Sequence, residues 1–475
     1  MFFLCLNSVK LVLVVMKKNK YNYDLIIIGA GPAGLAAAGF GLKNNLKTLL
    51  VEKNSCEGGE CVHEGCIPTK TMLHVAKTYN DAKSGGHLGI KSSALGYNFP
   101  SIIKWRNLAV ENTGVCDMRK SLEEQGLEVK LGQMEFASAN SIKLNDEQLT
   151  FGNLIISTGG SAFVPEIEGL NEVGYLTYNQ ATKIAKVPRS LLIIGGSAIG
   201  CEFAQLFLNL GSKVSIVERS DYLINNADVQ ASDLLGRIYQ DAGVNVFTSS
   251  KINRIEKSGT KKKIRLTDKE GIDTELMVDE IIVASGKKPN LNLGLEQAKI
   301  EYTEKGIEVD DNLLTTNPKV FAVGDVTGPM RFTHSAIYQA EMAVYNIVHP
   351  RHKKAANYDT IAWNIFTDPE LASVGITEQK AISANYNYKV GYCDIVEIAR
   401  ADTNGEQNGF VKIIADKKTG RILGATIMAE RAGEMIHELS LAMKYDISVS
   451  QIAALVHVFP TWSEAIRLAA HRAQN

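Results

Sequence analysis

The sequence predicts an α/β protein with two doubly wound units followed by a smaller α+β segment, and three observations carry that reading. An apolar run, a glycine turn and a helical pattern follow one another near Tyr23 and again near Ser190. Both copies reach an acidic residue 23 positions after their first glycine, at Glu52 and Glu218. From Tyr358 onwards the pattern changes to alternating strands, such as 409–414, beside helices such as 435–443. Short buried runs that end in glycine and lead into helices indicate a parallel sheet with crossover helices. At 475 residues the chain exceeds one core and divides into about three domains.

Residues 2–15 are apolar and precede Met16-Lys17-Lys18-Asn19-Lys20. The run is short for a bilayer, lacks a basic leader and shows no small-x-small cleavage pattern. Residues 1–20 therefore read as an extension with a misassigned upstream start, the true start being Met16.

The first unit begins with the buried strand 23–28, broken by Gly29-Ala30-Gly31-Pro32-Ala33-Gly34 before a helix. Gly29 allows the tight turn, Gly31 lets backbone approach a pyrophosphate, and Gly34 lets helix pack on strand. The helix N-terminus then faces the phosphate charge. Glu52, at the end of the second strand, is placed to accept hydrogen bonds from a ribose. In the second copy Gly195 and Gly200 repeat the outer glycines and Glu218 the acid, while Ser197 stands where the middle glycine belongs, so closer approach is expected at the first turn. The reading is two Rossmann-like dinucleotide sites; the alternative is one site retained and one decayed. Thr158 and Gly159, Gly286, and Gly324-Asp325 are placed with the cofactors, Asp325 reaching a polyol chain.

Between the two copies lies Gly58-Gly59-Glu60-Cys61-Val62-His63-Glu64-Gly65-Cys66-Ile67-Pro68-Thr69-Lys70. Cys61 and Cys66, glycines around them, can close a small disulfide ring, labile as catalytic disulfides are. The run 71–77 reads as helix, which puts Cys66 near an N-terminus that favours a thiolate. A zinc half-site or two unpaired buried thiols is the alternative, without a second CxxC pair to complete a metal site. Two dinucleotide sites flanking a redox disulfide imply electrons passing from one cofactor through another to sulfur.

Composition excludes other classes. The 51 Lys and Arg balance 52 Asp and Glu without basic blocks, which speaks against a nucleic-acid partner. No membrane role is expected. Seven scattered cysteines argue for a reducing compartment, hence the cytoplasm, with Cys61 and Cys66 the special pair. Cys56, Cys116, Cys201 and Cys393 read as buried or incidental thiols.

From about Tyr21 to the C-terminus the chain resembles the class I pyridine nucleotide-disulfide oxidoreductases, flavoenzymes that include dihydrolipoyl dehydrogenase, glutathione reductase and mercuric reductase. GAGPAG, GGxCxxxGCxPxK, STGG, GGSAIGCE, FAVGD and PTWSE carry the likeness, and segments around Phe332, Phe366 and His457 resemble the mercuric-reductase-like branch. The resemblance implies an FAD-binding domain over 21–160 and 290–355, an NAD(P)-binding domain over 161–289, and a dimerisation domain over 356–475 forming a homodimer. It implies that reduced nicotinamide delivers hydride to FAD, which reduces Cys61–Cys66. Cys66 would be the thiolate charge-transfer partner, Cys61 the interchange thiol, and Lys70 an ion-pair partner of Glu202 beside the flavin. Glu218 favours NADH, with Arg219 leaving NADPH as the alternative.

The chain departs from its relatives where a histidine precedes Pro-Thr. Phe459 stands there, so Glu464 has no imidazole to orient, and losing a positioned base costs on the order of a hundredfold to ten-thousandfold. His457 and His63 are candidate replacements, and Glu64 puts negative charge near the thiols. The relay of C-terminal cysteines that mercuric reduction implies is missing, since no cysteine follows Cys393. Three functions remain open: a reductase of a small-molecule acceptor needing no imidazole base, namely a metal ion, quinone or oxidant; a dihydrolipoyl dehydrogenase with another base; and a redox sensor.

Overall fold

A computed structural model describes residues 20–54, 58–91, 95–328 and 330–474; the apolar run 2–15, Met16 and Cys56 lie outside the described residues. Strand Tyr23–Ile28 lies inside the first sheet. It pairs in parallel with Thr48–Glu52 on one side and Glu147–Ile156 on the other. Glu128–Leu131 extends one edge, and the antiparallel strands Ser141–Leu144 and Met134–Ser138 extend the other. Leu25, Ile26 and Ile27 are fully buried, because both faces are covered; the run therefore shows no polar alternation. Val320–Ala322 joins Glu147–Ile156 in parallel, so a much later segment completes this sheet.

The second sheet repeats the layout. Ser190–Ile194 pairs in parallel with Lys213–Val217 and Glu280–Val283, with Asn245–Phe247 and Leu176–Thr177 at the edges. A meander of Lys251–Ser258, Lys261–Thr267 and Asp273–Val278 shares its core through Ile255, Ile264, Leu192 and Val283.

The C-terminal unit is an antiparallel sheet in the order Trp363–Ile365, Glu370–Gly375, Ile422–Ala429, Phe410–Asp416, Tyr388–Asp394. Helix Ala432–Lys444 buries Met435, Ile436, Leu439, Ala442 and Met443, three- and four-residue steps that put one stripe on the core. Helix Glu464–Arg472 adds Ile466 and Ala469 to the same core.

Two contacts tie these units together. The helix Cys66–Ser84 packs Met72, Leu73 and Ala76 into a core shared with Phe203 and Phe207 of helix Ala198–Asn209. Lys412, from the C-terminal sheet, reaches Asp228 at 3.0 and 3.1 Å and Glu378 at 2.9 Å. No helix among the described residues is long and apolar enough to cross a membrane.

Candidate functional site

The two glycine turns have the same geometry. Gly29 takes φ +99° and Gly195 φ +109°, where a side chain would collide with Ser157 O and Ala284 O. A Cβ on Gly34 would lie 1.8 Å from Gly29 O, and one on Gly200 2.1 Å from Gly195 O, so each helix rests directly on its turn. Glu52 accepts from Ala30 N at 2.7 Å and Asn54 N at 3.1 Å. Glu218 accepts from Gly196 N at 2.6 Å and Ser220 N at 2.8 Å. Each carboxylate is thus fixed at its strand end by two backbone donors. Ser197 donates to Ala284 O at 2.7 Å and accepts from Gly200 N at 3.3 Å, so its hydroxyl is folded into the turn.

The cysteines sit on the first of these turns. Gly58 N donates to Ala30 O at 2.8 Å, and a Cβ on Gly59 would meet Gly31 Cα at 2.9 Å. Two short steps of backbone then place Cys61 in helix Gly59–His63 and Cys66 at the first position of Cys66–Ser84. Both are free thiols that face one another. The Thr333 hydroxyl lies 3.2 Å from Cys61 Sγ and 3.5 Å from Cys66 Sγ. The hydrogen bond from Cys61, together with Thr333 and Lys70, outweighs burial and lowers the Cys66 thiol to about 6, whereas the same pairing and burial push Cys61 well above the thiol range.

Lys70, one turn beyond Cys66, holds Glu202 at 2.9 and 2.7 Å. Glu202 is 4% exposed and also accepts from Phe366 N at 3.1 Å, while Lys70 Nζ stands 4.9 Å over the Phe366 ring. Glu64, read as negative charge near the thiols, is paired with Lys183 at 2.6 Å.

A second polar group adjoins Cys61. Lys287 bridges Glu60 at 2.7 Å and Asp325 at 2.8 Å. Burial acts to lower the Lys287 ammonium, but Asp325 and Glu60 together hold it above the usual lysine value. Glu60 Oε1, Tyr178 OH and Arg331 Nε are buried without a hydrogen-bond partner. Cβ atoms placed on Gly31, Gly159 and Gly286 would meet open space, and Gly159 and Gly286 have φ +68° and +119°. Thr158 Oγ1 donates to Asn290 O at 2.9 Å and Gly324 N to Gln339 Oε1 at 2.6 Å, bracing the loops on either side.

His457 and Glu464 are placed elsewhere, in the C-terminal unit. His457 Nε2 meets Glu438 Oε1 at 3.0 Å, and Glu464 Oε2 accepts from Thr461 N at 3.2 Å, so these two candidate residues do not pair with each other.

Residues 23–340 match the pyridine nucleotide-disulphide oxidoreductase family, and residues 361–470 match its dimerisation domain. The chain belongs to this family. The oxidoreductase is 33% identical over 454 residues to a mercuric reductase of Bacillus cereus, covering 95% of this chain and 72% of that one. It is 32% identical over 451 residues to a dihydrolipoyl dehydrogenase of Mycoplasma pneumoniae, covering 94% and 97%. Its fold matches the HOCl-induced flavoprotein disulfide reductase RclA from Escherichia coli with a TM-score of 0.83 at 28% identity, covering 94% and 99%. Like its family, the oxidoreductase is FAD-dependent and takes electrons from NAD(P)H. The residues present fit FAD: open space at Gly31 and Gly159 and the unpartnered buried donors Tyr178 OH and Arg331 Nε suit phosphate and polyol oxygens, and Glu60 Oε1 suits a polyol hydroxyl.

Sequence reasoning missed Thr333, Lys287, Glu60 and Glu438. Thr333 lay inside the noted Phe332-Thr333-His334-Ser335 segment, and Glu60 inside the cysteine motif; neither residue type singles itself out for contact with sulfur or with a buried lysine.

Proposed function

We propose that this oxidoreductase draws electrons from NADH and delivers them at Cys61 and Cys66 to an acceptor that needs no proton abstraction by imidazole: a metal ion, a quinone or another oxidant. The observation that carries this is His457. Its Nδ1 lies 3.2 Å from Leu455 O and its Nε2 3.0 Å from Glu438, and its side chain is 6% exposed. The ring is packed between a carbonyl and a carboxylate acceptor, so His457 acts as a structural residue. The position before Pro460-Thr461 is Phe459, which has no proton chemistry. The likeness to mercuric reductase and to the Cu(II) complex of RclA, at 28% identity, supports a metal ion among the acceptors.

Gly29, Gly31, Gly34 and Glu52 would hold the adenosine diphosphate half of FAD, and Thr158, Gly159, Gly324 and Asp325 the rest. FAD, when bound, supplies the two-electron relay between nicotinamide and sulfur. Gly195, Gly200, Gly286 and Glu218 would hold the nicotinamide coenzyme. The Glu218 carboxylate is fixed in place by two backbone donors, so a 2′-phosphate would meet a charge that cannot swing away; this favours NADH. Lys70, anchored by Glu202, keeps positive charge beside Cys66 and holds its thiolate. Val456, Val458 and Phe459 are 91%, 75% and 71% exposed, an apolar surface that a second copy of the chain would cover in a homodimer. The seven scattered cysteines, without a disulfide framework, fit the cytoplasm.

Steady-state assays of the purified holoenzyme with NADH and NADPH test the reading. With NADH a cupric or mercuric ion or a quinone should turn over, while oxidation of dihydrolipoamide by NAD+ should be at least about a hundredfold slower, and His457→Ala should leave these rates unchanged. NADH should exceed NADPH, and Glu218→Ala should narrow the gap by about tenfold to a hundredfold, as loss of a like-charge contact of a few kcal/mol does. Vigorous dihydrolipoamide oxidation abolished by His457→Ala would establish a dihydrolipoyl dehydrogenase instead. Negligible turnover with every acceptor would make the protein a redox sensor.

A further inference from the structure

A threonine at the start of a helix ordinarily caps it. Thr333 opens helix Thr333–Val348 but makes no cap; the N-cap is Phe332, without a side-chain cap bond. Its hydroxyl is turned instead to the sulfurs, 3.2 Å from Cys61 and 3.5 Å from Cys66. Helix Cys66–Ser84 also begins here, so two N-terminal dipoles converge on the thiol pair. The charged side chains facing the sulfurs are Lys70, from the cysteine helix, and Glu202, from helix Ala198–Asn209.

We propose that Thr333 is a catalytic residue, its hydroxyl a shared hydrogen-bond donor that stabilises a thiolate on either sulfur and lets the single proton of the reduced pair pass between Cys61 and Cys66 without a histidine. The inference rests on the acceptor reading above and names what serves where the imidazole is missing. The step moves no electrons. One S–H bond breaks at Cys61 and one forms at Cys66, while the Thr333 O–H stays intact and rotates from the Cys66 sulfur to the Cys61 sulfur. The Cys61 thiolate so formed is the nucleophile that meets the acceptor. Lys70 acts as a fixed charge throughout; Thr333 is the donor that follows the negative charge.

The test compares Thr333→Val, which keeps the shape and removes the donor, with Thr333→Ser, which keeps the donor. Reduced holoprotein is alkylated with iodoacetamide across a pH series, and modification of Cys61 and Cys66 is quantified separately by mass spectrometry. Equilibration with a glutathione redox buffer measures the dithiol-to-disulfide ratio. Thr333→Val should slow alkylation of both cysteines about tenfold near neutral pH, shift the ratio about tenfold toward disulfide, and Thr333→Ser should restore both, as expected for a hydrogen bond to a charged group. Thr333→Ala, measured the same way, takes the place of the valine variant if that variant does not bind FAD. Wild-type profiles in the donor-less variant, or failure of serine to restore them, would overturn the proposal. Either result stands whatever the acceptor, so dihydrolipoamide turnover through His457 would sink the acceptor reading alone.

Discussion

Replacing Cys66 by serine should abolish NADH-driven reduction of a metal-ion acceptor, to below about a thousandth of the wild-type rate, and Cys61→Ser should do the same. A serine hydroxyl neither carries a redox couple nor ionises near neutral pH, so the loss corresponds to at least about 4 kcal/mol of transition-state stabilisation. Flavin content should be unchanged in both. Gly29, Gly31, Gly34, Glu52 and Asp325 make their contacts through backbone and carboxylate groups that do not involve the sulfurs. Steady-state rates and flavin absorbance on the same preparation check both halves of this expectation. A variant that lost its FAD along with its activity would show that the cysteine segment, packed on Gly31 through Gly59, is needed to form the cofactor site.

The second large effect is on stability. Lys412→Ala should lower the unfolding free energy by about 3–5 kcal/mol, read as a fall in the urea midpoint. The Lys412 and Asp228 side chains are 5% and 0% exposed, so removing the ammonium leaves Asp228 charged and sealed from water. Glu378, at 27% exposure, can turn outward; Asp228 cannot, because it also caps helix Val229–Asp241 through Gln230 N at 3.0 Å. The double variant Lys412→Met with Asp228→Leu removes both buried charges and should recover most of the loss, less about 1 kcal/mol for the cap.

The parts of this fold that a reader of the chain can see are the local ones. Gly29 and Gly195 are legible because only glycine tolerates their backbone, and Glu52 and Glu218 because the spacing from turn to strand end is set by one helix and one strand. The helix over 71–77, which the structure begins at Cys66, and the strand at Phe410 follow from side-chain period. Lys70 and Glu202 come from family likeness, since 132 residues separate them. Thr333 is 272 residues from Cys61, and as a threonine at a helix start it reads as a cap. Glu64 has the same limitation in reverse: its negative charge is legible, but its neutralisation by Lys183, 119 residues away, is not. Lys287 and Lys412 look like surface cations in the sequence, and only the meeting of segments distant in the chain buries each against two carboxylates. His457 pairs with Glu438 on the neighbouring helix rather than with Glu464, a choice made by how helix Ala432–Lys444 lies against the loop that follows it.

Anaerobic dithionite titration of the purified holoprotein tests most directly whether the sulfur pair stores electrons. The wild type should take up twice the electron equivalents that its FAD alone accounts for, and Cys66→Ser only the flavin's share. Uptake by the wild type that stops at the flavin's share would contradict the account, because Cys61 and Cys66 would then lie outside the electron path.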